Sequence, residues 1–263
     1  MATTGVVREC YVCLEEDHLV HAGCACRGGA GHVHVECMIK FAMASKAGYH
    51  VGWSTCNLCK HRFHGVVGAA LAVAAVRHTR EGSRDAKQGL AYYHYENGEY
   101  VEAKRVLVEL IVDQKSMGGC ALEYEGMLGD VYAACGKVAL AEATMLRVIK
   151  EMATKHGPHS ARTLTLEANY AGILSNAGQK QRAVDMLARI VPQLHVAFGA
   201  SSDEVLYALR NLGVTLQALG ELDHAKTVIQ TLLERVQLIY GREHAFTKSV
   251  IAVGVQLGCT GAA

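Results

Sequence analysis

A glycine-marked turn recurs four times at nearly constant spacing through the later two thirds of the chain. Asn97-Gly98, Cys135-Gly136, Ala177-Gly178 and Leu219-Gly220 follow one another at intervals of 38, 42 and 42 residues. Five residues after each glycine stands Ala103, Ala141, Ala183 or Ala225. Nine after it stands Leu107, Met145, Leu187 or Ile229, and eight before it Leu90, Leu128, Tyr170 or Leu212. Such offsets put large apolar side chains on one helix face and a small one where two helices cross most closely. A second glycine, at 157, 199 and 241, keeps the 42-residue period and closes the second helix of each unit. A unit of this kind cannot bury its apolar face alone and must stack on its copies. Residues 83–263 are therefore predicted to form an all-α solenoid of about four units.

Composition sets the class. Apolar residues make up 51% and charged residues 19%, which excludes a disordered chain. Two prolines argue against a sandwich or a Pro-rich linker, and a net charge of +1 removes the usual argument for nucleic-acid binding, so no nucleic acid is expected as a partner. The stretch Gly65 to Val76 falls well short of the ~20 residues of a membrane span. It reads as a buried helix within a connecting segment, 65–82. Met1 to Val7 shows neither the basic nor the apolar part of a secretory signal, so the cysteines are expected reduced, in cytoplasm or nucleus. No G-x-S-x-G, P-loop, H-E-x-x-H or G-x-G-x-x-G context is present, and a self-contained hydrolase, nucleotide enzyme or oxidoreductase has no visible site.

Residues 1–64 are written differently. They are rich in Gly, Cys and His, and only Val35 to Ser45 reads as a helix. Seven of the chain's 10 cysteines precede residue 60, and seven of its 14 histidines precede residue 65. In a reducing compartment, closely spaced cysteine pairs are metal ligands more often than disulfides. In order the candidates are Cys10, Cys13, Cys24, Cys26, His34, Cys37, Cys56 and Cys59. Eight ligands of these types make two tetrahedral structural zinc sites with no position open to substrate. Each pair is too short to enclose a metal alone, so pairs must combine. His32 is an alternative to His34, but only His34 has the H-x2-C spacing. Cys120, Cys135 and Cys259 lack ligand spacing and read as buried or incidental thiols.

These spacings, C-x2-C, C-x-C, seven residues to His, H-x2-C and a final C-x2-C, resemble the RING-CH (RING-variant) zinc-finger family. The PHD finger shares the ligand order. It usually has at least two residues between the third and fourth ligands and four or five before the histidine, where this chain has one and seven. The RING-CH resemblance implies a cross-brace, with Cys10, Cys13, His34 and Cys37 on one zinc and Cys24, Cys26, Cys56 and Cys59 on the other. It also implies a ubiquitin ligase that recruits a ubiquitin-conjugating enzyme and forms no covalent intermediate of its own. By position, Val12 and Trp53 would form the apolar docking patch, and Lys60 would be the basic residue bridging enzyme and ubiquitin. The competing readings are packing around the metal for Val12 and Trp53, and a solvated lysine for Lys60. Many RING-CH proteins continue into transmembrane helices, whereas this chain continues into the helical array.

The array is similar to the tetratricopeptide repeat family. Its period, and the segments Gly157 to Thr163 and Gly241 to Thr247, resemble the longer variant of kinesin light chains. The first interval is four residues short, and the usual aromatic early in the first helix is absent. His244 to Leu257 would be a lone capping helix. Stacked helix pairs leave a concave groove, lined mostly by the first helix of each pair, which holds a substrate protein or peptide. Polar candidates there are Asn169, Asn176, Arg210, Asn211 and Gln217. Asn169 and Asn211 share one repeat position and resemble the asparagines with which family members clamp a peptide backbone. The fold class expected is a small cross-brace zinc module followed by an all-α tetratricopeptide solenoid. The non-enzymatic alternative is an adaptor in which both parts only bind proteins.

Overall fold

The computed structural model describes residues 9–26, 28–45, 52–79 and 83–261. Its chain divides into two compact units, Met1–Leu110 and Ile111–Ala263.

In the first unit, β1 (Val20–His21) pairs antiparallel with β2 (His32–Val33), and α1 (Val35–Ala44) follows directly. Then come α2 (Gly65–His78) and α3 (Arg84–Glu96), while α4 (Tyr100–Ser116) begins in this unit and ends in the next. The two-residue strands were not anticipated, because so short a ladder carries no alternating pattern. The connecting helix stops at His78, and residues 80–82 of the expected segment lie outside the described residues. Val33, Met38, Ala42, Trp53 and Phe63 form a single apolar cluster with Val67, Leu71, Ala74 and Ala75 of α2 and Ala86 of α3. A segment this poor in apolar residues gains from such a lid, since small cores rarely hold themselves together. Helix α2 is thus part of the core of the Cys-rich segment, and α3 extends it.

The second unit contains α5 (Leu122–Ala134), α6 (Val138–His156), α7 (Ala161–Asn176), α8 (Lys180–Phe198), α9 (Asp203–Leu219), α10 (Leu222–Tyr240) and α11 (Ala245–Gln256). Consecutive helices pack on one another, and α7 also touches both α5 and α9. This is an all-α, tetratricopeptide-like solenoid. The sequence shows why each helix starts and stops where it does. Ser160 and Ser202 accept the amides of Thr163 and Val205, and His244 that of Phe246, so α7, α9 and α11 start on side-chain caps. Gly157, Gly199 and Gly241 end α6, α8 and α10 at φ of 93°, 83° and 78°, a region that L side chains avoid.

The repeated positions form the core. Ala103, Ala141, Ala183 and Ala225 are fully buried, as are Met145, Leu187 and Ile229. Leu128, Tyr170 and Leu212 are buried too, whereas Leu90, in the first unit, is only partly covered. A second small position was not singled out from the pattern. A Cβ on Gly213 would meet Ile229 Cδ1 at 2.5 Å, and one on Gly129 would meet Met145 Sδ at 2.8 Å.

Candidate metal centres and groove

Four short backbone devices position the cysteines and His34. In the first, Cys10 N–H donates to the Glu15 carbonyl at 2.8 Å and Leu14 N–H to that of Cys10 at 2.7 Å, folding Cys10 to Cys13 into a knuckle. The second, Cys24 to Cys26, leaves β1 through Gly23. His64 N–H donates to the Gly23 carbonyl at 2.7 Å, and a Cβ on Gly23 would lie 2.2 Å from the His64 carbonyl oxygen, so only glycine fits. In the third, His34 follows β2 and precedes α1, whose first turn carries Cys37. The fourth is a knuckle at Cys56 to Cys59, closed by Cys56 N–H to the His61 carbonyl at 2.9 Å and Lys60 N–H to that of Cys56 at 3.0 Å.

These devices bring the eight side chains into two interleaved groups. Cys10, Cys13, His34 and Cys37 form one, Cys24, Cys26, Cys56 and Cys59 the other, and the donor atoms within each lie no more than 4.8 Å apart. His34 Nδ1 is 3.2 Å from Cys13 Sγ and 3.7 Å from Cys37 Sγ, and Cys26 Sγ is 3.6 Å from Cys56 Sγ. Zinc–sulfur bonds of ~2.3 Å place tetrahedral sulfurs about 3.8 Å apart, so these spacings suit a four-coordinate ion. Either cluster could hold a metal. His34 Nε2 is bonded to the Asp17 carbonyl. With the proton on that nitrogen, Nδ1 turns its lone pair to the thiols, a support metal-binding imidazoles commonly have. His32 lies outside both groups.

The protonation of the thiols points the same way. Burial opposes ionisation of Cys10, yet the amides of Cys13, His34 and Val12 bring its thiol down to about 7. A hydrogen bond from the Cys24 thiol, joined by the amides of Cys59 and Leu58, brings Cys56 down to about 4. Its neighbours move the other way. The Cys56 sulfur and burial push Cys24 up, and burial with the same sulfur pushes Cys26 up to about 12. One thiol ionises readily, while hydrogen bonding to its sulfur and burial hold Cys24 and Cys26 protonated. A dication at the centre removes that resistance to ionisation.

Beside the clusters, the sequence candidates for docking separate. Val12 is 37% exposed, whereas Trp53 is only 6% exposed, inside the core of the first unit. Trp53 is therefore a residue of the core and not an exposed neighbour of Val12, because α2 supplies the His78 ring for the indole to lie against. Lys60 is exposed, with Nζ donating to the Asn57 carbonyl at 2.7 Å, folded back over its own knuckle. Leu58, 60% exposed, was missed. It stands just before the second cysteine of its C-x2-C pair, as Val12 does in the first, and that equivalence is legible in the sequence.

In the second unit, exposed Asn169 on α7 donates from Nδ2 to Asp130 Oδ2 of α5 at 3.3 Å. Asn211 on α9 is part-buried, with its Nδ2 beside Gly172 of α7. Gln217 on α9 bonds Gln256 of α11 at 3.0 Å, and Ser175 on α7 bonds Thr215 of α9 at 2.9 Å. Arg210 is part-buried and its Nε has no partner. Asp130, which has no acidic counterpart in the other repeats, was not anticipated.

A tetratricopeptide repeat family model matches residues 205–245. No curated protein is similar enough in sequence to count as a match. Among solved structures, BtubC (BKLC) from P. vanneervenii is similar at a TM-score of 0.56 and 16% identity, over 72% of this chain and 78% of that one. A putative kinesin light chain with TPR-like repeats from Podosopora anserina is similar at a TM-score of 0.41 and 21% identity, over 68% and 86%. A variant of that protein gives 0.45 and 18%, over 65% and 84%. No described helix is long and apolar enough to cross a membrane. The chain thus combines two Cys/His clusters with a helical scaffold of tetratricopeptide type suited to binding proteins.

Proposed function

We propose that residues 1–64 are a RING-CH-type finger holding two structural zinc ions, that 65–82 connect it to the array at 83–263, and that the chain is a ubiquitin-protein ligase or ligase subunit working in cytoplasm or nucleus. The carrying observation is the interleaving of the two clusters, with Val12 and Leu58 exposed at matching places on the two knuckles. Thiolate-rich four-ligand sets select zinc and leave no coordination site for substrate, so the metal supplies stability. The finger would bind a charged ubiquitin-conjugating enzyme through Val12 and Leu58, while the repeats hold the substrate. Its contribution is proximity and orientation of the attacking lysine. The adaptor reading draws on the burial of Trp53 and the folded-back Lys60, which leave the patch small.

The test is autoubiquitination by zinc-loaded protein across a panel of conjugating enzymes, with Val12→Ala and Leu58→Ala in parallel. Transfer that either substitution reduces tenfold or more supports the ligase. No transfer with any enzyme leaves the adaptor.

A further inference from the structure

The acids at helix contacts in the second unit are mostly matched with cations. Glu123 meets Arg162 at 3.2 Å, Glu125 meets Lys115 at 2.6 Å and Arg147 at 2.7 Å, Glu142 meets Arg182 at 3.4 Å, and Glu167 meets Arg189 at 3.0 Å. Asp130 differs. Its carboxylate lies between α5 and α7, held by the neutral amide of Asn169, and among the described residues no cation pairs with it. Asp130 is only half-buried as a residue, yet its carboxylate is desolvated between the two helices with no counter-charge, which is costly, and groups of this kind concentrate at functional sites. Desolvation pushes it up to about 7, in spite of the Asn169 bond.

The surroundings leave room for an occupant. Gly172 stands on α7 one full repeat after Asp130 and three residues after Asn169. A Cβ built there would meet nothing closer than Asn211 Nδ2, at 3.5 Å. Gly172 itself adds no side chain between Asn169 and Asn211, so an extended backbone could come close to α7 at that point, near the Asn169–Asp130 bond.

We propose that Asp130 is the acceptor for a lysine or arginine side chain of the peptide that occupies this face. The proposal rests on reading the face as a peptide groove and adds the chemistry of the occupant. A guanidinium or ammonium at Asp130 would make a charge-assisted hydrogen bond and supply the missing counter-charge, while Asn169 keeps the carboxylate in place. An acidic peptide segment at this point is disfavoured by the same charge.

The experiment selects peptides from a randomised dodecapeptide library on the full zinc-loaded chain, in parallel for wild type and Asp130→Asn. The affinity of each enriched peptide, and of a copy with its basic residue replaced by norleucine, is then measured against both proteins. The expected result is one position fixed as Lys or Arg on wild type and unselected on Asp130→Asn. The wild-type peptide should lose tenfold or more in affinity for Asp130→Asn, while the norleucine copy binds both proteins alike. Enriched peptides without a basic position, or with one whose replacement weakens both proteins equally, would overturn the assignment and leave the groove intact. Peptides indifferent to Asn169→Ala and Asn211→Ala would overturn the groove reading itself. Failure to enrich any peptide would overturn both.

Discussion

The indole of Trp53 lies stacked on the imidazole of His78, with ring centroids 6.5 Å apart and planes inclined by 16°. Trp53 comes from the loop before the last cysteine pair and His78 from the final residue of α2, so the contact fastens the helix to the Cys-rich segment. Removing a buried indole forfeits its transfer free energy and leaves a cavity. Trp53→Ala is expected to cost about 3–5 kcal/mol, read as a lower urea midpoint of the first unit. His78→Ala, at the exposed end of the stack, should cost about 1 kcal/mol. Equal small losses in both would mean that the indole is not part of the core.

Trp53 is the chain's single tryptophan, so its emission reports on the Cys-rich core alone. Stripping the metals with a strong chelator should redden that emission as the cluster around Trp53 opens, because structural zinc contributes on the order of 10 kcal/mol to folding. Cys24→Ser and Cys56→Ser should each abolish one site, reducing bound zinc from two toward one. An unchanged emission after metal has been shown to leave would reject a metal-dependent core.

How much of this was readable in advance depends on whether a feature repeats. The turns at Gly98, Gly136, Gly178 and Gly220 recur in phase, and each sits between two helices of the structure. The Cys and His spacing marked eight candidate donors, but spacing does not say which pairs join. The grouping came from a resemblance, and the same side chains are gathered in the structure because β1, β2 and the two knuckles bring segments far apart in sequence together. Trp53 is different. Its distance from Cys56 says nothing about which side its ring faces, and the partner that decides this lies on α2. Asp130 has no acidic counterpart one repeat away, so no period could expose it, and its meaning lies in what the neighbouring helices bring to it, whereas Glu125 and Arg147 do recur one repeat later as the paired Glu167 and Arg189.

Glu125 is 7% exposed, with Lys115 Nζ at 2.6 Å and Arg147 Nη2 at 2.7 Å. Burial opposes its ionisation, but the two cations outweigh that and hold its carboxyl below the usual value of 4.5. A depressed folded pKa means that the stabilisation is present above the ordinary pKa and lost as pH falls through the folded one. Arg147→Met leaves Lys115 as the remaining counter-charge and should cost roughly 2 kcal/mol at pH 7. The difference from wild type should shrink below pH 4 as the carboxylate protonates. Urea melts of both proteins at pH 7 and pH 3.5 measure this, and a loss that stays constant across that range would assign the effect to packing of the arginine stem.

Asp130 should show the opposite sign. Its carboxyl is pushed up from 3.8 to about 7, chiefly by desolvation. The folded protein therefore holds a proton that the unfolded chain has released, and stability declines as pH rises from about 4 to about 7, with the full loss present above that. Asp130→Asn removes the charge and keeps the shape. It should leave stability near wild type at pH 4.5 and raise it by about 2 kcal/mol at pH 8. Urea melts followed by far-ultraviolet circular dichroism at both values provide the measurement. An equal difference at the two pH values would show that the carboxylate is not desolvated. A lower stability of Asp130→Asn at pH 8 would mean that a counter-charge already reaches Asp130 within the chain, leaving a cationic partner nothing to supply.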